Sequence, residues 1–395
     1  MGRERGTLRL NRMDIIQIPG SRILEIAKIA FATPDADFLC FGESDQPSPA
    51  TAHAAAVAAL DAGITRYPDV RGLPELRVAL ADHLTKLHAR PVPEERIQVT
   101  ASGMTAVSVA LSAIVRSGDR VVLHSPAWPN VGNAARLRGA QVDELDLIAL
   151  PEGGFRLDLD RLDAMLDGAR AFILNSPNNP TGWTATHGEQ VDILDIARRR
   201  NVWLIADEVY SRLVYSGAAA APSLLDIAEP HDRVIVCNSF SKTWMMTGWR
   251  LGWLVVPEGT RDAITELVEV THSGVAPFIQ YAGLAAVRDT EAVELFRRHC
   301  ATGRTLTGDA LAGVNGLRYV EPDGAFYAFV GVEGLTDSLT LAKRLVIDHH
   351  VAVAPGIAFG GAGEGYLRIC FAQSADRIER AMGRLREGLR AQIAA

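Results

Sequence analysis

Short apolar runs, each closed by polar, Gly-rich or Pro-rich residues, dominate the middle of the chain from about residue 97. They are RIQVTASG, DRVVLHSPAW, ARAFILNSPNNPTG, NVWLIADEVY, DRVIVCNSFSK and RLGWLVVP. Between several of them lie stretches of helical periodicity, such as MTAVSVALSAIVRSGD and HGEQVDILDIARRRN. Apolar strands alternating with helices predict crossover connections and a mainly parallel sheet covered on both faces, an α/β fold. Before this region, residues 50–63 are Ala-rich and helical in pattern, and Pro74 opens a second helix after the turn YPDVRGL.

After about residue 285 the rhythm changes. Helical segments lead to the strand-like LRYVEPDGAFYAFV and GYLRICFA, and the chain closes on the amphipathic ADRIERAMGRLREGLRAQ. The pattern predicts a large domain over 49–285 and a smaller α+β domain over 286–395. Residues 1–48 are expected to be an N-terminal segment joining the small domain.

Composition narrows the function without naming it. The 395 residues are 48% hydrophobic and 22% charged, an ordinary globular balance. A formal net charge of −7 argues against nucleic acid or an anionic membrane as the main partner. Cys40, Cys237, Cys300 and Cys370 are scattered with no CxxC pair, which suits buried, reduced thiols in a cytoplasmic protein. The basic start MGRERGTLRLNRMD has no apolar run behind it, so no secretory signal is expected, and no run of membrane-spanning length follows. His349 and His350 are adjacent, a poor arrangement for two ligands on one helix or strand face, and no grouping of carboxylates or cysteines lies near them, so no metal site is expected.

The unusual polar residues fall where the predicted strands end: TASGM, SPAWPN, NSPNNPTG, ADEVY and NSFSK, in that order. In open α/β sheets ligands bind beyond the carboxyl ends of the strands, so these segments point to one composite site. Lys242, if desolvated, would be a nucleophilic amine able to form a Schiff base with a carbonyl. Ser102, Gly103 and Met104 lie where a loop enters a helix and could present backbone N–H groups to a phosphate. Ser239, Ser241 and Arg250 add donors suited to the same anion. Asp207, at a strand end, needs a cationic or N–H partner, and Trp128 offers a flat face to a heteroaromatic ring. A lysine that traps aldehydes, a phosphate cradle, an aromatic face and a buried acid together describe a pyridoxal-phosphate site.

Each residue alone has a plainer reading. Asp207 could cap a helix, NNPTG is a good turn, and Trp128 could belong to the core. FGGAGEG (359–365) matches a dinucleotide fingerprint only loosely and reads as a loop feeding Arg368 into the site.

NSFSKTWMMTGWRLGW, with NSPNNPTG, ADEVYSRLVY, YPDVRGLPELR and GYLRICFA in order, resembles the class I/II pyridoxal-phosphate aminotransferases, the fold-type I group that includes aspartate aminotransferase. The resemblance runs from about residue 20 to the C-terminus. It implies that Lys242 carries the cofactor and moves the substrate proton, and that Asp207 faces the pyridine nitrogen. Tyr210 and Asn179 are then expected at the ring hydroxyl oxygen and Trp128 against the ring. Ser102, Gly103, Met104, Ser239 and Arg250 are expected at the phosphate. Tyr67 would reach the phosphate of a neighbouring subunit, which implies a homodimer with shared sites. Arg368, helped by Asn179, would bind the substrate α-carboxylate, with Gly42 and Trp128 lining that pocket.

One position departs from the family pattern. Aspartate-using bacterial members often carry a lysine after the phosphate-loop glycine, where this chain has Met104. A neutral, apolar or aromatic amino acid is therefore favoured over an acidic one. The expected activity is transamination between an L-amino acid and a 2-oxo acid. Rival readings are β-elimination, decarboxylation or a specialised biosynthetic step on the same scaffold, a cofactor-free lysine aldolase, and a non-catalytic amino-acid-sensing module.

Overall fold

The computed structural model describes residues 9–10, 16–151 and 153–393. Most of the basic N-terminal stretch therefore lies outside the described residues.

All six apolar runs become strands of one seven-stranded sheet. Numbered along the chain, its strands are β1 (Ile97–Thr100), β2 (Arg120–Ser125), β3 (Gln141–Asp146), β4 (Ala171–Asn175), β5 (Trp203–Asp207), β6 (Val234–Ser239) and β7 (Gly252–Val255), in the spatial order β1-β7-β6-β5-β4-β2-β3. The run β6-β5-β4-β2-β3 is parallel, while β7 is antiparallel to both β6 and β1. It follows that β1 points the same way as β6. The segments TASG, SPAW, NSPNN, DEVY and NSFSK thus leave the sheet along one edge. The reading from sequence missed β3, an edge strand whose run QVDELD buries only Leu145 fully and so carries little apolar signal.

The sheet is apolar on both faces because helices cover both. Leu204 and Ala206 face one core and Ile205 the other, the period-two alternation of a strand. The first core takes the helices Pro74–His88, Leu159–Leu166, His187–Arg200 and Pro277–Arg288, and the second takes Gly103–Ile114, Pro129–Leu137 and Arg261–His272.

A second, antiparallel sheet forms from β8 (Leu317–Arg318), β9 (Tyr327–Val332), β10 (Ala354–Pro355) and β11 (Tyr366–Cys370), in the order β8-β9-β11-β10. Its core gathers Ile23, Ile26, Ala30, Leu39 and Cys40 from the N-terminal residues with residues of the helices Ser338–His349 and Ala375–Ile393. Asp37–Phe38 pairs in parallel with Val351–Ala352. Asp37 is buried and accepts from Arg380 and Arg384, which ties the C-terminal helix to the N-terminal strand. Tyr210 and Leu213, just past the end of β5, pack into this core as well. That contact sets β9 and β11 against the edge where the polar segments gather.

All four cysteines are free and buried. No helix among the described residues is long and apolar enough to cross a membrane.

Candidate active site

A cleft of about 1140 Å³ lies at the carboxyl edge of the large sheet. Gly42, Gly103, Met104, Trp128, Asn179, Asp207, Tyr210, Ser239, Lys242, Arg250 and Arg368 all line it. Ser102 sits just behind, buried at the N-cap of helix Gly103–Ile114. Tyr67 is elsewhere, 93% exposed on the surface. A second cavity of about 750 Å³, around His88, Thr186 and Asp226, contains none of the residues singled out from sequence.

Lys242 lies in the turn that leaves β6, in the polar segment NSFSK. Its Nζ donates to the Gly42 carbonyl 200 positions away, at 2.5 Å. Burial pushes its pKa down to about 8, so a substantial neutral fraction exists near physiological pH. Asp207 ends β5 with its carboxyl buried and pushed up to about 6 by that burial, against the opposing pull of a backbone N–H and of Lys242. The backbone N–H of Val209 reaches its Oδ1 at 3.4 Å. Among the described residues it makes no ion pair, an arrangement that calls for a cationic partner from outside the chain.

Across the cleft, β1 breaks into the helix Gly103–Ile114. The Ser102 hydroxyl accepts from the Thr105 N–H at 3.0 Å. A Cβ on Gly252 of β7 would stand 2.6 Å from the Ser102 carbonyl carbon and 2.7 Å from the Gly103 nitrogen. Only glycine lets β7 approach this turn. The helix start stands against the end of β6, where a Cβ on Gly103 would lie 3.0 Å from that of Ser239. Ser239 and Ser241 are buried and joined through their hydroxyls at 2.9 Å. Arg250, in the left-handed region at φ +58°, donates to the Thr247 carbonyl and keeps an exposed side of its guanidinium on the cleft. A helix N-terminus, two hydroxyls and a guanidinium on one wall make an anion site.

The opposite wall comes from the second sheet. Arg368 on β11 is buried, with Nη1 donating to Asn179 Oδ1 at 2.9 Å and Nη2 to the Cys40 carbonyl at 2.5 Å. Its guanidinium carbon lies 4.4 Å from the Tyr327 ring centre and 4.8 Å from that of Phe359. Asn179 is held in turn by its N–H on Asn175 Oδ1 at 2.9 Å, and Asn175 Nδ2 donates to the Asp207 carbonyl at 3.0 Å. Trp128 precedes helix Pro129–Leu137 as its N-cap and stands half-buried on the cleft wall.

Tyr327, Phe359, Asn175 and Phe41 were missed from sequence although they line the cleft or brace it. Tyr327 sits in a run that reads as plain apolar strand, and Phe359 opens FGGAGEG, read only as a loop feeding Arg368 into the site. The one available signal was the phenol itself, since a tyrosine inside a buried strand needs a hydrogen-bond partner.

Comparison with known proteins agrees with this geometry. Residues 36–385 match the model of the family described as aminotransferase class I and II. The chain is 33% identical over 380 residues to an aspartate aminotransferase of Pyrococcus horikoshii, covering 95% of this chain and 96% of that one. It is 34% identical to aromatic-amino-acid aminotransferase 2 of Thermococcus litoralis, over 89% and 91% of the two chains. The crystal structure of aspartate aminotransferase from Thermotoga maritima superposes with a TM-score of 0.86 at 31% identity, covering 94% of this chain and 98% of that one. The family match and these relatives show that the chain belongs to the class I and II aminotransferases, fold-type I enzymes that use pyridoxal 5'-phosphate.

Proposed function

We propose that the protein transfers the amino group of a neutral L-amino acid, apolar or aromatic in its side chain, to a 2-oxo acid. The observation that carries this reading is the set of cations on the cleft. Lys242, Arg250 and Arg368 are taken up by the roles below, and the remaining two are already paired. Arg22 faces Glu25 at 3.2 Å and Arg136 faces Glu144 at 3.3 Å. With Met104 beside the anion site, the described residues lining the cleft offer no other unpaired cation to a substrate side-chain carboxylate, while Ile18, Phe41, Met104 and Val107 offer apolar surface. The Pyrococcus relative is named for aspartate and the Thermococcus relative for aromatic amino acids, and the cleft favours the second.

The donor set fits pyridoxal phosphate. When bound, the cofactor supplies an electron sink for the charge left on the substrate α-carbon. Lys242 would hold it covalently and would be the group that moves a proton at the substrate α-carbon. Asp207, without an ion-pair partner among the described residues, would face the ring nitrogen and keep its proton in place. Tyr210 and Asn179 address the ring oxygen, and Trp128 packs against the ring. Ser102, Gly103, Met104, Ser239 and Arg250 hold the phosphate. Arg368 takes the substrate α-carboxylate in a two-point pair, assisted by Asn179, with Gly42 and Trp128 lining that pocket. Tyr67, exposed on a single chain, reaches the phosphate of a second copy, so the working form is a homodimer. Four buried thiols suit a cytoplasmic setting.

The deciding experiment is the absorption spectrum of the purified protein during additions of single L-amino acids. A visible band should bleach with leucine-, methionine- or phenylalanine-like substrates and return when a 2-oxo acid is added. Bleaching by aspartate alone would overturn the substrate class, and a band that no amino acid changes would overturn the catalytic assignment.

A further inference from the structure

Tyr327 stands between the two halves of the site and is fully buried. It lies on β9, where its register partner is Cys370 of β11, so Arg368 is its diagonal neighbour on the same face. The Arg368 guanidinium carbon lies 4.4 Å from the Tyr327 ring centre and 4.8 Å from that of Phe359. A guanidinium has five N–H donors. Asn179 takes one from Nη1 and Cys40 takes one from Nη2, while Nε has no partner among the described residues. The two aromatic contacts therefore restrict the guanidinium and so the direction in which its remaining donors present themselves.

The hydroxyl of the same residue meets Tyr210 Oη at 2.7 Å. A Cβ on Gly42 would lie 2.2 Å from Tyr327 Oη, so glycine there makes room for the phenol. Either hydroxyl of this pair can be the donor, and the two arrangements differ in which proton is free for the cleft. With Tyr327 donating, the Tyr210 proton is the one left to point into the cleft. Burial above all holds both phenols above their usual range; Tyr327 raises Tyr210 further, whereas Arg368 and the contact with Tyr210 pull Tyr327 down, and Asp207, Lys242, Glu43 and Cys370 are the other ionisable groups around the pair.

We propose that Tyr327 is a positioning residue of the transamination site. Its ring holds Arg368 flat for a carboxylate, and its hydroxyl commits the Tyr210 proton to the cofactor ring oxygen. This rests on the roles proposed above for Arg368 and Tyr210. A hydroxyl that accepts a hydrogen bond becomes a stronger donor. With Tyr327 in place, Tyr210 stabilises the ring oxygen as an anion and so lowers its hold on a neighbouring proton. Removing the Tyr327 hydroxyl weakens that donation, and the proton is kept to higher pH.

The test uses the full chain loaded with pyridoxal phosphate, comparing the wild type with Tyr327→Phe and Tyr327→Leu. In Tyr327→Phe the midpoint of the visible-band pH titration should rise by about half a unit, the size of a modest change in one hydrogen bond. Its KM values should stay near wild type, because the ring remains over Arg368. In Tyr327→Leu, KM for the amino acid and for the 2-oxo acid should rise together, about five- to tenfold above Tyr327→Phe, as loss of a desolvated cation–π contact implies. A residue that served only packing would lower the melting temperature and move neither the midpoint nor the KM difference. An unshifted midpoint in Tyr327→Phe overturns the hydroxyl role, and equal KM values in the two variants overturn the ring role. Should Tyr327→Leu fail to fold, Phe359→Leu removes the second aromatic contact on Arg368 and must raise KM in the same way. Failure of the parent reading is separate, since the wild type itself would then show no titrating band.

Discussion

Asp207 is a carboxyl whose burial works against its own charge. With a folded pKa raised to about 6 from an ordinary value of 3.8, the native chain binds this proton more tightly than the unfolded chain does. The linked stability is fully present below pH 3.8 and is lost as pH rises to about 6. Above that pH the ionised carboxylate costs on the order of 2–3 kcal/mol until a cation faces it. Asp207→Asn removes the charge, so the cofactor-free variant should be more stable than wild type at pH 8. The gap should close towards pH 4, as followed by urea unfolding across pH. Pyridoxal phosphate should then stabilise the wild type more than the variant, because only the wild type gains an ion pair. Residues of this kind were legible in sequence, since a lone acid after Leu204-Ile205-Ala206 raises the question of its partner. Tyr327 was not, because its chemistry depends on Tyr210 and Arg368, which adjoin it only after folding.

At the scale of elements, the anion site depends on how closely β7 passes the turn into helix Gly103–Ile114. Gly252→Ala would place a methyl 2.6 Å from the Ser102 carbonyl carbon, where backbone rather than a flexible side chain must move. The expected cost is about 1–3 kcal/mol of stability, the range for overpacking, together with weaker retention of pyridoxal phosphate on dialysis. Retention equal to wild type would show that the turn tolerates displacement. The strands themselves were plain in the sequence because runs such as Val234-Ile235-Val236-Cys237 are buried on both faces and need no polar alternation. The edge strand β3 was not, because its exposed face is polar. The antiparallel direction of β7 was also hidden, since apolar content carries no sign of direction.

At the scale of the whole molecule, the proposed homodimer makes a specific demand on Tyr67, which is 93% exposed here and is not among the residues lining its own cleft. Mixing Lys242→Ala chains with Tyr67→Ala chains should restore activity at limiting pyridoxal phosphate, towards about a quarter of wild type, because half of the random dimers carry one intact composite site. No gain over the separate variants would mean that each site is built from one chain. The proposed division into a large unit over 49–285 and a small one over 286–395 rests on the change in sequence rhythm. The structure adds that Tyr210 and Leu213 pack into the second core.

By itself the sequence determined the buried strands, several of the helices between them and the polar segments at the strand ends. Those features follow from local periodicity, turn chemistry and burial. It also determined, by resemblance, the family and its cofactor. Only the tertiary structure decided which residues meet across long intervals. Arg368 meets Asn179 over 189 positions, Tyr210 meets Tyr327 over 117, and Lys242 meets Gly42 over 200. Such contacts depend on strand order, on crossover connections and on the seating of one sheet against another, and none of these leaves a periodic trace along the chain.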